Sequence, residues 1–412
     1  MMNEILNFLN KNAEILGILM MPFTYGFVGW FTNWVALKMT FYPLEFIGIP
    51  PFLGWQGIIP RKAYKMASKS VDIISTKLIK IDEVFSRIQP EQVAKELRPL
   101  MNEVSNDIVR DVIDDINPNL WQLLPDALKN ELMLQVQKNN KETIKIITDE
   151  MRANIYDIFD LKALVLKSLT GPNVDLIVEM FQSVGAPEFR FIERSGLYFG
   201  FILGLIQMVI WWFFPIWWTL PIQGIIVGYI TNYLAIKMIF WPQQEIKFGP
   251  FKYQGLFHKR QADVSEKYAN LVATKILTPK KIMAEMFYGR ATDQVLMFIR
   301  RSLSSTIEKS VNIAKPVLFL TIGNEKYEEI KKFIIGKLIR LVPRSTQGLE
   351  EYLGKALDLE ATMASKMKKL SPPEFEDILR TAFQEDEYIL ILVGAVLGGL
   401  VGLAQALYML AV

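Results

Sequence analysis

The chain carries one imidazole, His258, and no cysteine. Without a thiol there is no Cys nucleophile, no disulfide framework and no thiolate site for zinc or iron–sulfur clusters. A histidine metal site or a Ser-His-Asp triad would rest wholly on His258. Carboxylates are plentiful, Asp111, Asp114 and Asp115 among them. They fall on helical patterns without a histidine beside them, which reads as solvated helix face. No Walker loop, dinucleotide fingerprint, HExxH or GxSxG occurs. We therefore expect no catalytic residue, no metal site, no cofactor and no enzymatic turnover.

The chemistry that is present is a small polar set inside apolar stretches. GWFTNWVALKMTFYP at residues 29–43 recurs as GYITNYLAIKMIFWP at 228–242, with Gly29, Thr32, Asn33, Ala36, Lys38, Met39, Phe41 and Pro43 returning 199 positions later. The second set is thus Gly228, Thr231, Asn232 and Lys237. On a helix, Gly29, Asn33 and Ala36 share one face, and Trp30, Trp34 and Lys38 another. The first face suits close helix contact with an interhelical hydrogen bond, because an amide is costly in hydrocarbon unless bonded. The sharper reading makes Thr32–Asn33 a substrate ligand. Lys38 and Lys237 read either as side chains snorkelling to the headgroups or as phosphate-binding cations on a lipid path.

Further pieces repeat. WQGIIPRK returns as YQGLFHKR, which sets Arg61 and Lys62 against Lys259 and Arg260. These bases are expected to face anionic headgroups. His258 stands where the first copy has Pro60, so it reads as a surface or interface histidine. Gly196, Gly200 and Gly204 match Gly394, Gly398 and Gly402 at GxxxGxxxG spacing, followed by Gln207 and Gln405. Such a groove lets another helix backbone approach closely, and pairing of the first span with the second and the third with the fourth is the economical arrangement.

The elements that must position these residues are membrane helices. Half the residues are apolar (51%) while 22% are charged, a mixture that suits spans alternating with water-facing blocks. Apolar runs start at Ile15, Gly196 and Trp217, and the last runs from Tyr388 to the end, each near the ~20 residues a bilayer helix needs. The first lacks a basic n-region and a small-residue cleavage site, so it is expected to be a retained span. Trp211, Trp212, Trp217 and Trp218 surround the turn at Pro215 and read as an aromatic belt. That turn has no charge, whereas Lys and Arg gather at the opposite span ends. The positive-inside rule then places both charged blocks in the cytoplasm and both termini outside, with the acidic Glu385, Asp386 and Glu387 counting little. Net charge is only +3, so nucleic acid is not an expected partner.

The organisation follows: first transmembrane segment 1–40, interfacial linker 41–61, helical cytoplasmic block 62–194, transmembrane hairpin 195–240, second linker 241–261, second helical block 262–386 and last transmembrane segment 387–412. The blocks place apolar residues at three- and four-residue intervals and are punctuated by Pro90, Pro118, Pro125, Pro172, Pro279, Pro316 and Pro343. The linkers are too broken by proline and glycine to span. The expected fold class is an all-α integral membrane protein with four spans, built as a tandem parallel duplication of span, interfacial linker, helical block and span.

The pattern GxxTNxxAxKMxFxP followed by QGxxPRK resembles that of the domain-of-unknown-function 445 family, the UPF0754-type bacterial membrane proteins. It stands at Gly29–Pro43 with Gly57–Lys62, and again at Gly228–Pro242 with Gly255–Arg260. Tyr42 and Trp241 occupy the place where that pattern has an arginine before the proline. The resemblance implies a multi-pass protein of the bacterial inner membrane and supplies no activity. The role expected first is a non-enzymatic, membrane-anchored scaffold of the bacterial envelope, its blocks binding protein partners, with a homo-oligomer as a further expectation. The alternative is lipid handling or transport through the repeated TN-K motif and the amphipathic helices, with the bilayer and its anionic lipids as partners.

Overall fold

The computed structural model describes residues 13–49, 53–116, 120–123, 125–311, 315–383 and 387–411. Residues 50–52 of the first linker, Pro118, Glu385 and Asp386 lie outside the described residues. The all-α expectation holds: nearly all described secondary structure is helical, and four helices are long and apolar enough to cross a membrane. The chain divides into two compact units, each assembled from separate stretches.

The first unit comprises Met1–Ser70, Leu166–Tyr268 and Ala364–Val412 and holds the span-length helices α1 (Ala13–Phe41), α2 (Val174–Phe213), α3 (Thr219–Phe240) and α4 (Glu387–Ala411). Prolines just beyond each end, Pro43, Pro215 and Pro242, stop α1, α2 and α3, since the residue before proline is pushed out of the helical region. The span expected from about residue 195 is the distal part of a longer helix. α2 runs unbroken through Pro187 for 40 residues, about 60 Å at the α-helical rise. Its charges end at Arg194, which leaves the stretch from Ser195 apolar.

α1 lies against α2, and α3 against α4, through glycine. A Cβ on Gly29 would run into the carbonyl of Gly196, and one on Gly228 into that of Gly394. Only hydrogen at these positions lets the backbones touch, which is how small residues drive association where no hydrophobic effect operates between helices. The four helices share a core of Ile18, Met21, Tyr25, Trp211, Leu220, Val227 and Ala406. Trp211 is therefore turned inward, a correction to its place in the aromatic belt. Trp212, Trp217 and Trp218 are exposed.

Each linker folds into a two-stranded antiparallel hairpin, where the sequence gives only an irregular pattern. β1 (Ile47–Ile49) pairs with β2 (Leu53–Trp55), and β3 (Ile246–Phe248) with β4 (Phe251–Tyr253). The Gln-Gly dipeptide closes each loop. Gln56 Nε2 donates to Leu44 O (2.9 Å) and Gly57 N to Pro43 O (2.9 Å). Gln254 Nε2 donates to Gln243 O (3.0 Å) and Gly255 N to Pro242 O (2.9 Å). The peptides Tyr42–Pro43 and Trp241–Pro242 are both cis. Ile47 and Ile49 are exposed on the first hairpin.

The second unit comprises Val71–Val165 and Ala269–Met363, so it takes segments from both helical blocks. Its longest helices are Pro90–Ile116, Asp126–Ala153, Thr292–Val311 and Lys315–Leu357. Pro90 and Pro279 each open a helix at the first position, where a missing N–H costs nothing. Pro343, expected to punctuate, lies inside the helix Lys315–Leu357, whose break falls instead at Gly323 with φ 79°. Five-residue π turns, Ile74–Leu78 and Val272–Ile276, contain Thr76–Lys77 and Thr274–Lys275 at matching places. In each, a threonine hydroxyl bonds the carbonyl four residues back, Thr76 to Asp72 (2.6 Å) and Thr274 to Asn270 (2.7 Å).

Candidate functional site

The repeated polar residues of the first unit divide by burial. Thr32, Asn33, Thr231 and Asn232 are buried. Thr32 and Thr231 hydroxyls turn back to their own helices, to Gly29 O (3.2 Å) and Gly228 O (3.3 Å). The asparagines cross between helices: Asn33 Nδ2 donates to Ile192 O (2.6 Å) and Asn232 Nδ2 to Leu390 O (2.7 Å). Both Oδ1 atoms are buried without a hydrogen-bond partner. Gly196, Gly200, Gly204, Gly398 and Gly402 lie against the facing helix, and Gly394 packs on the Asn232 amide.

Lys38 and Lys237 are exposed at the ends of α1 and α3. Aromatic rings one turn away face them. Lys38 Nζ lies 5.7 Å from the Tyr42 ring, and Lys237 Nζ 5.3 Å from Tyr233 and 5.5 Å from Trp241. Lys237 also donates to the Tyr233 hydroxyl (3.2 Å). The rings where the family-like pattern has arginine thus hold the lysines by cation–π attraction. Arg61 and Lys259 are exposed and Lys62 is half-buried. Arg260 is engaged: Nη1 donates to both carboxylate oxygens of buried Glu188 (2.6 Å each) and Nη2 to Asp263. Burial opposes its charge, but the two carboxylates more than offset this and hold its pKa above the ordinary value.

His258 is buried, at 5% exposure, which corrects its reading as a surface histidine. Its Nε2 lies 3.2 Å from Glu376 Oε2. The same oxygen accepts from Gln243 (2.7 Å), while Arg380 binds Oε1 and reaches Glu387 (3.2 Å) through Nε. Phe257 stacks on Phe375 beside them, centroids 4.6 Å apart. Glu376 therefore has the histidine partner that the sequence did not offer to any carboxylate. Nothing in local spacing marks the pair, because 118 positions separate them.

The second unit contains a cavity of ≈ 190 Å³ lined almost wholly by Leu, Ile, Val, Met and Phe. Its walls come from Phe85–Val104, Thr143–Ile155, Ile282–Leu303 and Leu338–Leu357, so both helical blocks build it. Met101, Met151, Met283 and Met286 give part of the lining a flexible, polarisable character. The polar side chains on the wall are Thr143, Thr148 and Arg152. Both threonine hydroxyls are spent on their own helix, at 2.9 and 2.8 Å. Among the described residues no group of three or more His, Asp or Glu is placed to hold a metal ion.

Three relatives decide what the chain resembles. A UPF0754 membrane protein of Cyanothece sp. is 29% identical over 150 residues, 34% of this chain and 34% of the relative. One of Shouchella clausii is 26% identical over 178 residues, 42% and 43% of the two chains. One of Synechococcus elongatus is 23% identical over 177 residues, 42% of each. The chain is a relative of the UPF0754 membrane proteins. The match spans less than half the length of each of these UPF0754 proteins. No family model and no solved structure matches the chain.

The UPF0754 names state membrane residence and no activity, in keeping with the four span-length helices. The motif residues shared by pattern with that family, Gly29 to Pro43 and Gly228 to Pro242, lie in the first unit. The cavity lies in the second. Its only sequence signal is the amphipathic periodicity of the helices around it.

Proposed function

We propose that this UPF0754 relative is a lipid-binding protein of the bacterial inner membrane. Its second unit holds an acyl chain, and it performs no chemistry on it. The observation that carries this reading is the apolar cavity of ≈ 190 Å³. Packed interiors leave few voids larger than a water molecule. An apolar void of about 150 Å³ elsewhere stays dry and takes hydrocarbon. The ligand at hand for a chain with four span-length helices is lipid. The scaffold role, the first expectation from the sequence, has no comparable feature behind it.

The cytoplasmic placement of the charged blocks, with the turn between α2 and α3 outside, is part of the proposal. It rests on the bases Arg61, Lys62, Lys259 and Arg260 near one set of span ends and the uncharged, tryptophan-rich turn at the other. Absence of enzymatic activity is likewise proposed, on the lack of cysteine and the enclosure of the lone histidine between Glu376 and Phe257.

Lipid extraction and mass spectrometry of the purified chain test the reading. The wild type should retain about one lipid per chain through exhaustive detergent exchange. Leu100→Phe and Ile299→Phe fill the cavity and should lose it while keeping a native helical circular dichroism spectrum. Equal retention by both folded variants would place the lipid elsewhere and end the proposal.

A further inference from the structure

Arg152 stands on the wall of the apolar cavity. Its Nη2 donates to Ser86 O (2.9 Å) and its Nη1 lies 3.4 Å from Asp149 Oδ1, a half-exposed carboxylate. Its Nε is buried and makes no hydrogen bond. A guanidinium presents five donors and cannot be neutralised in a protein. A permanent charge beside apolar surface is costly unless an anion faces it, and an apolar chain alone would bring none to this wall. Arg87, next in sequence to Ser86, donates to Leu357 O (3.0 Å) and Thr362 Oγ1 (2.7 Å). Leu357 itself lines the cavity. Two arginines therefore flank this end of the void, with Glu83 3.7 Å from Arg87 and Asp149 as the carboxylates beside them.

We infer that the cavity takes a single-chain amphiphile with an anionic head, its chain among the leucines, isoleucines and methionines and its head on Arg152. This rests on the proposed lipid-binding role and specifies its ligand. One chain follows from size. A cavity of about 150 Å³ elsewhere accommodates one six-carbon benzene, so ≈ 190 Å³ admits a single stretch of roughly eight chain carbons and not two side by side. An anionic head follows from Arg152 itself, the one charged side chain on a wall otherwise made of apolar residues and two threonines, since charge-assisted bonds to arginine are the strong ones. A carboxylate and a phosphate share this chemistry. The first would come from a free fatty acid and the second from a lysolipid headgroup.

The experiment uses the full chain in amphipol and a diazirine-bearing palmitate as photoprobe, with crosslinked peptides mapped by mass spectrometry. Crosslinks are expected on the cavity segments within 85–104, 143–155, 282–303 and 338–357. Palmitate, hexadecyl phosphate and hexadecanol then compete. At least one anion should compete about tenfold better than the alcohol, the scale of one charge-assisted hydrogen bond. Palmitate as the better competitor identifies a fatty acid, hexadecyl phosphate a phosphate-headed lysolipid. Arg152→Gln should abolish the anion preference with hexadecanol competition unchanged, and Arg152→Lys should restore part of it. Hexadecanol competing as well as both anions in the wild type, or an anion preference surviving in Arg152→Gln, overturns the inference and leaves the lipid-binding role standing. No crosslink on the cavity segments removes both.

Discussion

The amide of Asn33 reaches from α1 to the carbonyl of Ile192 on α2 at 2.6 Å, directly beside the point where Gly29 and Gly196 touch backbone to backbone. Asn232 and Leu390 hold the same relation at 2.7 Å, beside Gly228 and Gly394. The two devices differ in strength. An interhelical hydrogen bond in a membrane contributes about 0.6 kcal/mol on average, rarely beyond ~1.7. The Ile192 carbonyl also accepts from Ser195 Oγ at 2.9 Å, so it keeps a side-chain partner without Asn33. Overpacking a tight contact costs about 1–3 kcal/mol, and more for a larger side chain. Asn33→Ala should therefore lower stability by less than about 2 kcal/mol, and Gly196→Leu by clearly more. Thermal unfolding in one detergent ranks them. An asparagine variant worse than the glycine variant would assign Asn33 a role beyond packing.

These contacts were legible because helix geometry is local. Gly29 and Asn33 fall one turn apart in any helix, and GxxxGxxxG names a face without reference to its partner. The Gln-Gly dipeptides were visible as repeats. Their loop-closing bonds to Leu44 and Gln243 were not, since each joins residues 12 and 11 positions apart across a strand pair that carries no alternating pattern. Glu376 and Arg380 share a helix turn, but His258 and Gln243 meet them only through tertiary packing. The cavity is least legible. Its lining has the ordinary apolar spacing of core helices, and whether the surrounding helices fill the space between them is a matter of volume, not pattern.

Glu376 is the hub of the polar cluster in the first unit, accepting from Arg380 and Gln243 with His258 beside it. Removing one member of a buried charged set costs about 3–5 kcal/mol when the partners stay buried and unpaired; here His258 is left so, while Arg380 is a third exposed and keeps Glu387. Glu376→Leu should therefore fall at the lower end, about 3 kcal/mol. His258→Phe should cost less, since Glu376 keeps Arg380 and Gln243, and a ring at 258 still packs near Phe257 and Phe375. Chemical unfolding of both variants checks the order. A His258→Phe loss equal to that of Glu376→Leu would make the histidine the organising group.

The Arg260 guanidinium, hydrogen-bonded to Asp263, holds that carboxyl below the usual carboxylate range, with Lys267 adding to the effect and burial opposing it. Because the folded value lies below the unfolded one, the stabilisation is complete above the ordinary carboxylate pKa of about 4 and is lost as pH falls through the folded value. Asp263 is half-exposed, so solvent screening keeps the contribution below about 1 kcal/mol. The wild type should lose more stability than Asp263→Asn between about pH 6 and about pH 3. Parallel acid-side losses in the two proteins would show that the ion pair contributes nothing.

Orientation in the bilayer has a direct test, because the chain has no cysteine to remove. The probes must be exposed. Ser105 is buried against Asn140 (2.6 Å) and would report burial, not sidedness. Asn130 is exposed on the helix Asp126–Ala153, and Ile216 is exposed in the turn between α2 and α3. With the helical unit in the cytoplasm, an impermeant maleimide added to intact spheroplasts should label Ile216→Cys and not Asn130→Cys. Permeabilisation should then expose Asn130→Cys to the reagent at a comparable extent. Labelling of Asn130→Cys in intact spheroplasts would invert the topology and place the apolar cavity, with Arg152 on its wall, outside the cytoplasm.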